Sequence, residues 1–198
     1  LSVRAARHVL AAAGFDPNLV TLAVDSPAEP LGKRLVEHPL TAIVDFTGSA
    51  RFGAWVEQNA HPALSYTETS GVNTVVLESM DDLEPVARSL ATTMNLFSAQ
   101  MCTSPQNIYV PRGGVFVGGR RASVDEVCDA LVAAFRAVVA EPKRAASILA
   151  TVQSPATLDL VGRMHESGSR RGAILLDSAQ YAHPAFAGQF SAALAASG

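Results

Sequence analysis

The sequence predicts an α/β fold built on a parallel sheet, and two patterns carry that prediction. Short runs rich in valine, isoleucine and leucine alternate along the chain with longer stretches whose apolar residues recur at helical spacing. The 198 residues are 48% hydrophobic and 17% charged, enough apolar material for one well-packed domain or pieces of two. No internal repeat is present.

The elements follow in order. Val3, Ala6, Val9, Leu10 and Ala13 recur at helical spacing, and Gly14 stops that helix. Phe15-Asp16-Pro17-Asn18 reads as a turn, and the apolar run 19–24 as a strand covered on both faces. Ser26-Pro27 reads as a helix start, with Leu31, Leu35 and Val36 buried and His38-Pro39 as the stop. A strand is expected over 42–46, then a helix carrying Phe52, Trp55 and Val56 that ends near Asn59-Ala60. Residues 63–68 are expected to be extended and 72–77 to form a strand. Asp81-Asp82 opens a long helix with Leu83, Val86, Ala87, Leu90, Met94 and Phe97 on its core side, since negative charge suits a helix N-terminus.

Strand character returns at 107–110 and 115–117, separated by the turn Pro111-Arg112-Gly113-Gly114 and followed by Gly118-Gly119. Ser123 and Glu126 have capping-box spacing for a helix through about Val139, which Pro142 breaks. Ser154-Pro155 begins another helix with Leu158, Val161 and Met164 inward and Gly168 near its end, and 173–176 is a last strand. The tail from Ala182 onward is low in complexity and expected to be loosely held. A boundary between two lobes falls near Glu68–Gly71, where a glycine- and serine-bearing link separates two α/β runs.

The formal net charge of -3 and the scattered basic residues give no footprint for nucleic acid or an anionic membrane. No apolar stretch approaches the ~20 residues of a membrane helix. Cys102 and Cys128 form no Cys-x-x-Cys pair, which points away from a disulfide framework and toward a reducing cytoplasm. The five histidines lack the spacing of a local zinc motif, so no metal is expected.

Three places could carry chemistry. Phe46-Thr47-Gly48-Ser49 lies where a strand opens into a helix, a place where backbone N–H groups attract phosphate; it is equally an ordinary helix cap. Glu68, in Ser65-Tyr66-Thr67-Glu68-Thr69-Ser70-Gly71, is either a surface carboxylate or a general base that activates water from partly dry surroundings. Cys102 is expected in a loop between a helix and a strand, which suits a nucleophile held at both ends; a small packed thiol is the commoner role. A nucleophilic thiol needs surroundings that favour its thiolate, and no histidine lies close by in sequence. Cys128, between Val127 and Leu131 on an amphipathic helix, reads as packing.

Together these motifs resemble the aldehyde dehydrogenase superfamily, in which Phe-Thr-Gly-Ser, Glu-Leu-Gly-Gly and Gly-Gln-x-Cys follow in that order. Here they stand as Phe46-Thr47-Gly48-Ser49, Glu68-Thr69-Ser70-Gly71 and Ala99-Gln100-Met101-Cys102, and Cys102 follows Glu68 by 34 positions, the family's usual interval. The resemblance runs from Leu1 to about Val110, and its nearest flavour is the branch linked to phenylacetate degradation. It implies a fold of the family's kind, with 1–68 as the later part of a dinucleotide-binding lobe and 69–198 as a catalytic cysteine lobe, each incomplete.

It also implies NAD or NADP as cofactor, with Gly48 and Ser49 beside the pyrophosphate, Cys102 as the nucleophile that attacks an aldehyde, and Glu68 as the base for thioester hydrolysis. The Cys102 backbone N–H would supply one oxyanion donor. A cytoplasmic enzyme, homo-oligomeric at full length, is the corresponding whole.

Departures from the family pattern are Ser26 and Ala28 where members usually carry glycines, and Glu68-Thr69-Ser70-Gly71 for Glu-Leu-Gly-Gly. The family's first cofactor strands, oxyanion asparagine, ribose lysine and Glu-x-Phe-Gly-Pro motif have no counterpart, so the chain reads as a central fragment with little turnover alone. The alternatives are a coenzyme A-acylating relative, against which the retained Glu68 argues, and a non-catalytic α/β binding or assembly module.

Overall fold

The computed structural model describes residues 1–26, 28–149, 155–182 and 189–197, of which 155, 178–182 and 189–197 are described by backbone alone. The chain divides into two compact units, Leu1–Ser70 and Gly71–Gly198.

In the first unit, helix α1 (Ser2–Ala12) ends as the sequence predicts, with Gly14 at φ 79° just beyond it. Its apolar stripe is not buried, however, and Val9 is 64% exposed. The strand expected over 19–24 does not form. Pro17–Leu19 is a single 3-10 turn capped by Asp16, and the chain then runs on to residue 26 without a ladder partner among the described residues. An apolar run becomes a strand only where another strand accepts its N–H and C=O groups; here Leu19, Leu22 and Val24 stay exposed.

The next helix is also shorter than expected. Pro27 lies outside the described residues, and α2 covers only Gly32–Val36. Asp25 does the capping instead, accepting from the Leu31 N–H at 2.7 Å and the Gly32 N–H at 3.2 Å. The Leu31 bond leads in holding its carboxyl below the ordinary range. Val36 is buried, Leu31 is partly covered and Leu35 is exposed, so only part of the expected inner face exists.

Strand β1 (Ile43–Gly48), helix α3 (Ala50–Asn59) and strand β2 (Leu64–Thr69) form a βαβ unit. The strands pair in parallel from Ile43↔Leu64 to Gly48↔Thr69, so a crossover is obligatory and α3 supplies it. Val44 and Phe46, two residues apart on one strand face, meet Phe52, Trp55 and the buried Val56 from α3. Phe52 stacks on Trp55 at 5.3 Å, and Lys33 Nζ lies 4.8 Å from the Trp55 ring centre.

In the second unit, β3 (Asn73–Val76) and β5 (Pro105–Tyr109) pair in parallel, and β4 (Ser79–Met80) pairs in parallel with β6 (Val115–Val117). β7 (Arg120–Ala122) turns back antiparallel on β6 through Gly118 and Gly119, both at positive φ, as a tight hairpin requires. Helix α4 (Leu83–Asn95) buries Ala87 and Ala91 and half-buries Leu83, Val86, Leu90 and Met94. It packs against α5 (Val124–Ala140), whose Val127, Leu131, Phe135 and Val138 lie inward at helical spacing. Phe97 is not part of that face. α4 stops at Asn95, and Phe97 is 48% exposed with φ 52°.

Pro142 ends α5 and also starts α6 (Pro142–Ile148), because its missing N–H is harmless in a first turn. Ser154 lies outside the described residues, while α7 (Pro155–Arg171) forms as expected. Of its predicted inward face only Val161 is partly covered, while Leu158 and Met164 are 55% and 62% exposed. β8 (Gly172–Ala182) pairs antiparallel with β9 (Gln189–Ser197), so that part of the tail is a strand and not a loose end. Residues 183–188 and 198 of the tail lie outside the described residues.

The capping box at α5 is formed in both directions: Ser123 Oγ accepts from the Glu126 N–H at 3.1 Å, and Glu126 Oε2 accepts from the Ser123 N–H at 2.7 Å. Ser123→Ala is expected to lower the unfolding free energy by about 1 kcal/mol in a urea titration. The Ser123 N–H, and after it the Arg120 side chain, hold the Glu126 carboxyl below its ordinary value of 4.5. A carboxyl depressed in the folded state stabilises above that ordinary value and loses its effect as pH falls through the folded value. Glu126→Gln should therefore lower stability at neutral and alkaline pH and flatten the fall on the acid side, read from urea titrations across pH.

Candidate functional site

The first cluster is built by the β1–β2 ladder. Thr47 stands in register with Glu68 and Gly48 with Thr69, so the Thr-Gly-Ser turn and the glutamate share the carboxyl ends of two adjacent parallel strands. That end of a parallel sheet is where α/β proteins commonly take their ligands. Ser49 caps α3, its Oγ accepting from the Phe52 N–H at 3.3 Å.

Two glycines shape this end. A Cβ on Gly48 would stand 2.5 Å from Phe46 Cζ, and one on Gly53 would stand 2.5 Å from Thr69 Cγ2. The first lets the Phe46 ring fold under the turn, and the second lets β2 lie close on α3. No acidic residue occupies the first turn of α3, which instead carries Arg51. The outward-directed N–H groups at the start of that turn and the cation make a setting that fits an anionic group such as a pyrophosphate.

Glu68 itself is exposed, so the partly dry surroundings expected for it are absent within this unit. Its neighbour Thr67 faces the other side of the strand and donates its hydroxyl to Glu57 on α3.

The second cluster surrounds Cys102, which is exposed, in the loop between α4 and β5. It lies at the amino end of its strand, so the carboxyl-end rule that describes Gly48, Ser49 and Glu68 does not describe it. Phe97, Ser98 and Ala99 have φ of 52°, 56° and 60°. Side chains bearing a Cβ enter that left-handed region at a cost of about 1 kcal/mol each. Gln100 braces the turn, with Nε2 donating to the Phe97 carbonyl at 2.9 Å.

Downstream, Asn73 of β3 donates from Nδ2 to the carbonyls of Cys102 at 2.5 Å and Ser104 at 3.1 Å. Ser104 is 2% exposed, and its Oγ donates toward the Thr93 carbonyl of α4 at 3.4 Å. Neither Asn73 nor Ser104 stood out in the sequence. The available signal was Ser104-Pro105 opening the strand, since a proline there leaves a gap in the ladder that some side chain must fill.

Cys128 is less accessible than Cys102. It is partly covered on α5, and burial, followed by the nearby Asp125 and Asp129 charges, pushes its thiol upward. Among the described residues no group of His, Cys, Asp and Glu gathers into a metal-holding cluster, and no helix is long and apolar enough to cross a membrane.

The aldehyde dehydrogenase family profile matches residues 1–190. This chain belongs to the aldehyde dehydrogenase family. It is 42% identical to a solved NAD-dependent aldehyde dehydrogenase from Burkholderia multivorans, with a TM-score of 0.79 over 93% of this chain and 33% of that one. A solved 1-pyrroline-5-carboxylate dehydrogenase from Thermus thermophilus shares the fold at a TM-score of 0.63 and 21% identity, covering 84% of this chain and 32% of its own. In sequence, 1-pyrroline-5-carboxylate dehydrogenase 2 of Halalkalibacterium halodurans is 32% identical over 105 residues, 49% of this chain. That match spans 20% of the relative's length, so this chain corresponds to a minor part of each whole protein.

Ala99 stands where the family's Gly-Gln-x-Cys motif has glycine, and its φ of 60° shows why glycine suits the position. Ala99→Gly should raise stability by no more than about 0.5 kcal/mol in a urea titration, because the added freedom of the unfolded chain offsets much of the relief of left-handed strain. Iodoacetamide at pH 8 should label Cys102 well ahead of Cys128, read by peptide mass spectrometry, and unfolding in urea should close the gap. Equal rates in the folded chain would support a non-catalytic module.

Proposed function

We propose that this chain carries the nucleophile and the general base of an NAD(P)-dependent aldehyde dehydrogenase that converts an aldehyde to a carboxylic acid. The supporting observation is that a chain of this family keeps the motifs of Gly48-Ser49, Glu68 and Cys102 in the family's order and interval, with Cys102 exposed on a braced loop. In this reading residues 1–68 belong to the cofactor lobe and 69–198 to the catalytic lobe.

Cys102 thiolate attacks the aldehyde carbon and forms the C–S bond of a thiohemiacetal, while the carbonyl oxygen becomes an oxyanion to which the Cys102 backbone N–H donates. The nicotinamide cofactor, when bound, supplies the hydride acceptor. Gly48 and Ser49 at the start of α3 would hold the cofactor's pyrophosphate, and the turn's N–H groups and Arg51 would meet its charge. After hydride loss the substrate carbon is a thioester on Cys102. Glu68 takes a proton from the water that attacks this carbon, the C–S bond breaks, and the thiolate is restored.

The retained carboxylate at Glu68 favours water over coenzyme A as the acyl acceptor. Because these residues span about a third of the solved relative they match, the 198-residue chain alone should turn over slowly or not at all beside the protein that carries it.

In that protein, measured as reduced cofactor formed from aliphatic aldehydes, benzaldehyde and phenylacetaldehyde, Cys102→Ser should lower kcat/KM by about a thousandfold or more. Glu68→Gln should leave a first-turnover burst but slow the steady state about a hundredfold, because only hydrolysis loses its base. An acyl-coenzyme A product, formed faster than the acid when coenzyme A is added, would replace hydrolysis with acyl transfer. Undiminished turnover by Cys102→Ser would remove the proposal.

A further inference from the structure

The Cys102 loop is tied to β3 by a side chain that the steps above leave without a role. β5 begins at Pro105, which has no N–H to give its neighbour strand. The ladder pairs Asn73 with Pro105, then slips before Thr74↔Asn107, so the backbone alone cannot anchor the end of the loop. Asn73 fills that gap three times: its backbone N–H donates to Gln106 Oε1 at 3.0 Å, and its amide donates to the Cys102 and Ser104 carbonyls. On the upstream side, the left-handed Phe97, Ser98 and Ala99 persist only if the surrounding contacts over-determine the loop.

We propose that Asn73 is a positioning residue for the Cys102 nucleophile: its side-chain amide, held at the first residue of β3, fixes the loop from Cys102 to Ser104 and the direction of the Cys102 carbonyl. The inference rests on Cys102 acting as the nucleophile. The chemistry of the clamp is specific. Two carbonyl oxygens converge on one nitrogen, so the partner must offer two N–H bonds at the reach of one methylene, and asparagine does so. Aspartate has the same shape but only acceptors, and it would repel both carbonyls. Serine keeps one donor on the same stem. A carbonyl held by Asn73 cannot swing its negative end toward its own sulfur or toward the oxyanion that forms beside it.

The test uses the protein that carries this chain and p-nitrophenyl acetate, a probe that needs no cofactor. Cys102 Sγ forms a bond to the acetyl carbon, p-nitrophenolate leaves with the electron pair of the broken C–O bond, and the thiol proton passes to solvent. Nitrophenolate release and peptide mass spectrometry report the rate and the site. Asn73→Asp should slow acetylation of Cys102 about tenfold or more, and Asn73→Ser should recover part of that loss. Labelling of Cys128 by iodoacetamide and the circular dichroism spectrum should not change.

Acetylation of Cys102 in Asn73→Asp within about twofold of the parent would overturn the inference while leaving the nucleophile in place. If Asn73→Asp unfolds, Asn73→Ser decides alone, and a rate equal to the parent's overturns the inference. A parent protein that stays unacetylated at Cys102 defeats the nucleophile reading and the inference with it.

Discussion

Parallel strand pairing is the constraint on which the rest of this chain depends. Two parallel strands cannot be joined by a hairpin, so every such pair demands a crossover, and the crossover helix must bury one face on the strands it joins. α3 meets that demand between β1 and β2 with Phe52, Trp55 and Val56, and α4, between β3 and β5 in the chain, shares through Ala87 the cluster that holds Val75 and Ile108. Parallel register also aligns the ends of neighbouring strands. That alignment sets Glu68 in the row next to Thr47-Gly48-Ser49, although 20 positions separate Gly48 from Glu68 along the chain.

The same constraint has a weak point at β5. A parallel ladder relies on evenly spaced N–H donors, and Pro105 removes one at the strand's first residue. The Asn73 amide and the buried Ser104 help fix the loop before it. Regular structure therefore holds the Gly48–Ser49 turn and Glu68, whereas side-chain hydrogen bonds hold the Cys102 loop. The first arrangement follows from main-chain geometry and tolerates many side chains. The second depends on the number of donors on one residue.

Elements with a local physical cause were readable from the residues. The Ser123–Glu126 box, the stop at Gly14, the cap at Ser49 and the inward stripe of α5 each follow from a few neighbouring positions. Elements that need a remote partner were not. The apolar residues 19–24 have strand composition and no ladder, and Phe97 continues the helical spacing of α4 beyond the point where the helix ends. Leu158 and Met164 keep the rhythm of a buried face yet lie exposed, because rhythm states which residues share a face and not what covers it.

By itself the sequence determined the α/β class, most of the helices and their caps, and the family, since motif order and spacing survive in the linear chain. Tertiary structure alone decided which strands pair, that Glu68 is exposed, that Ala99 lies in left-handed space, and that Asn73 reaches the carbonyls of Cys102 and Ser104. The division has a physical reason. Caps and amphipathic faces are short-range properties of a few covalent neighbours, while ladder partners and converging hydrogen bonds exist only once the backbone has brought distant residues together.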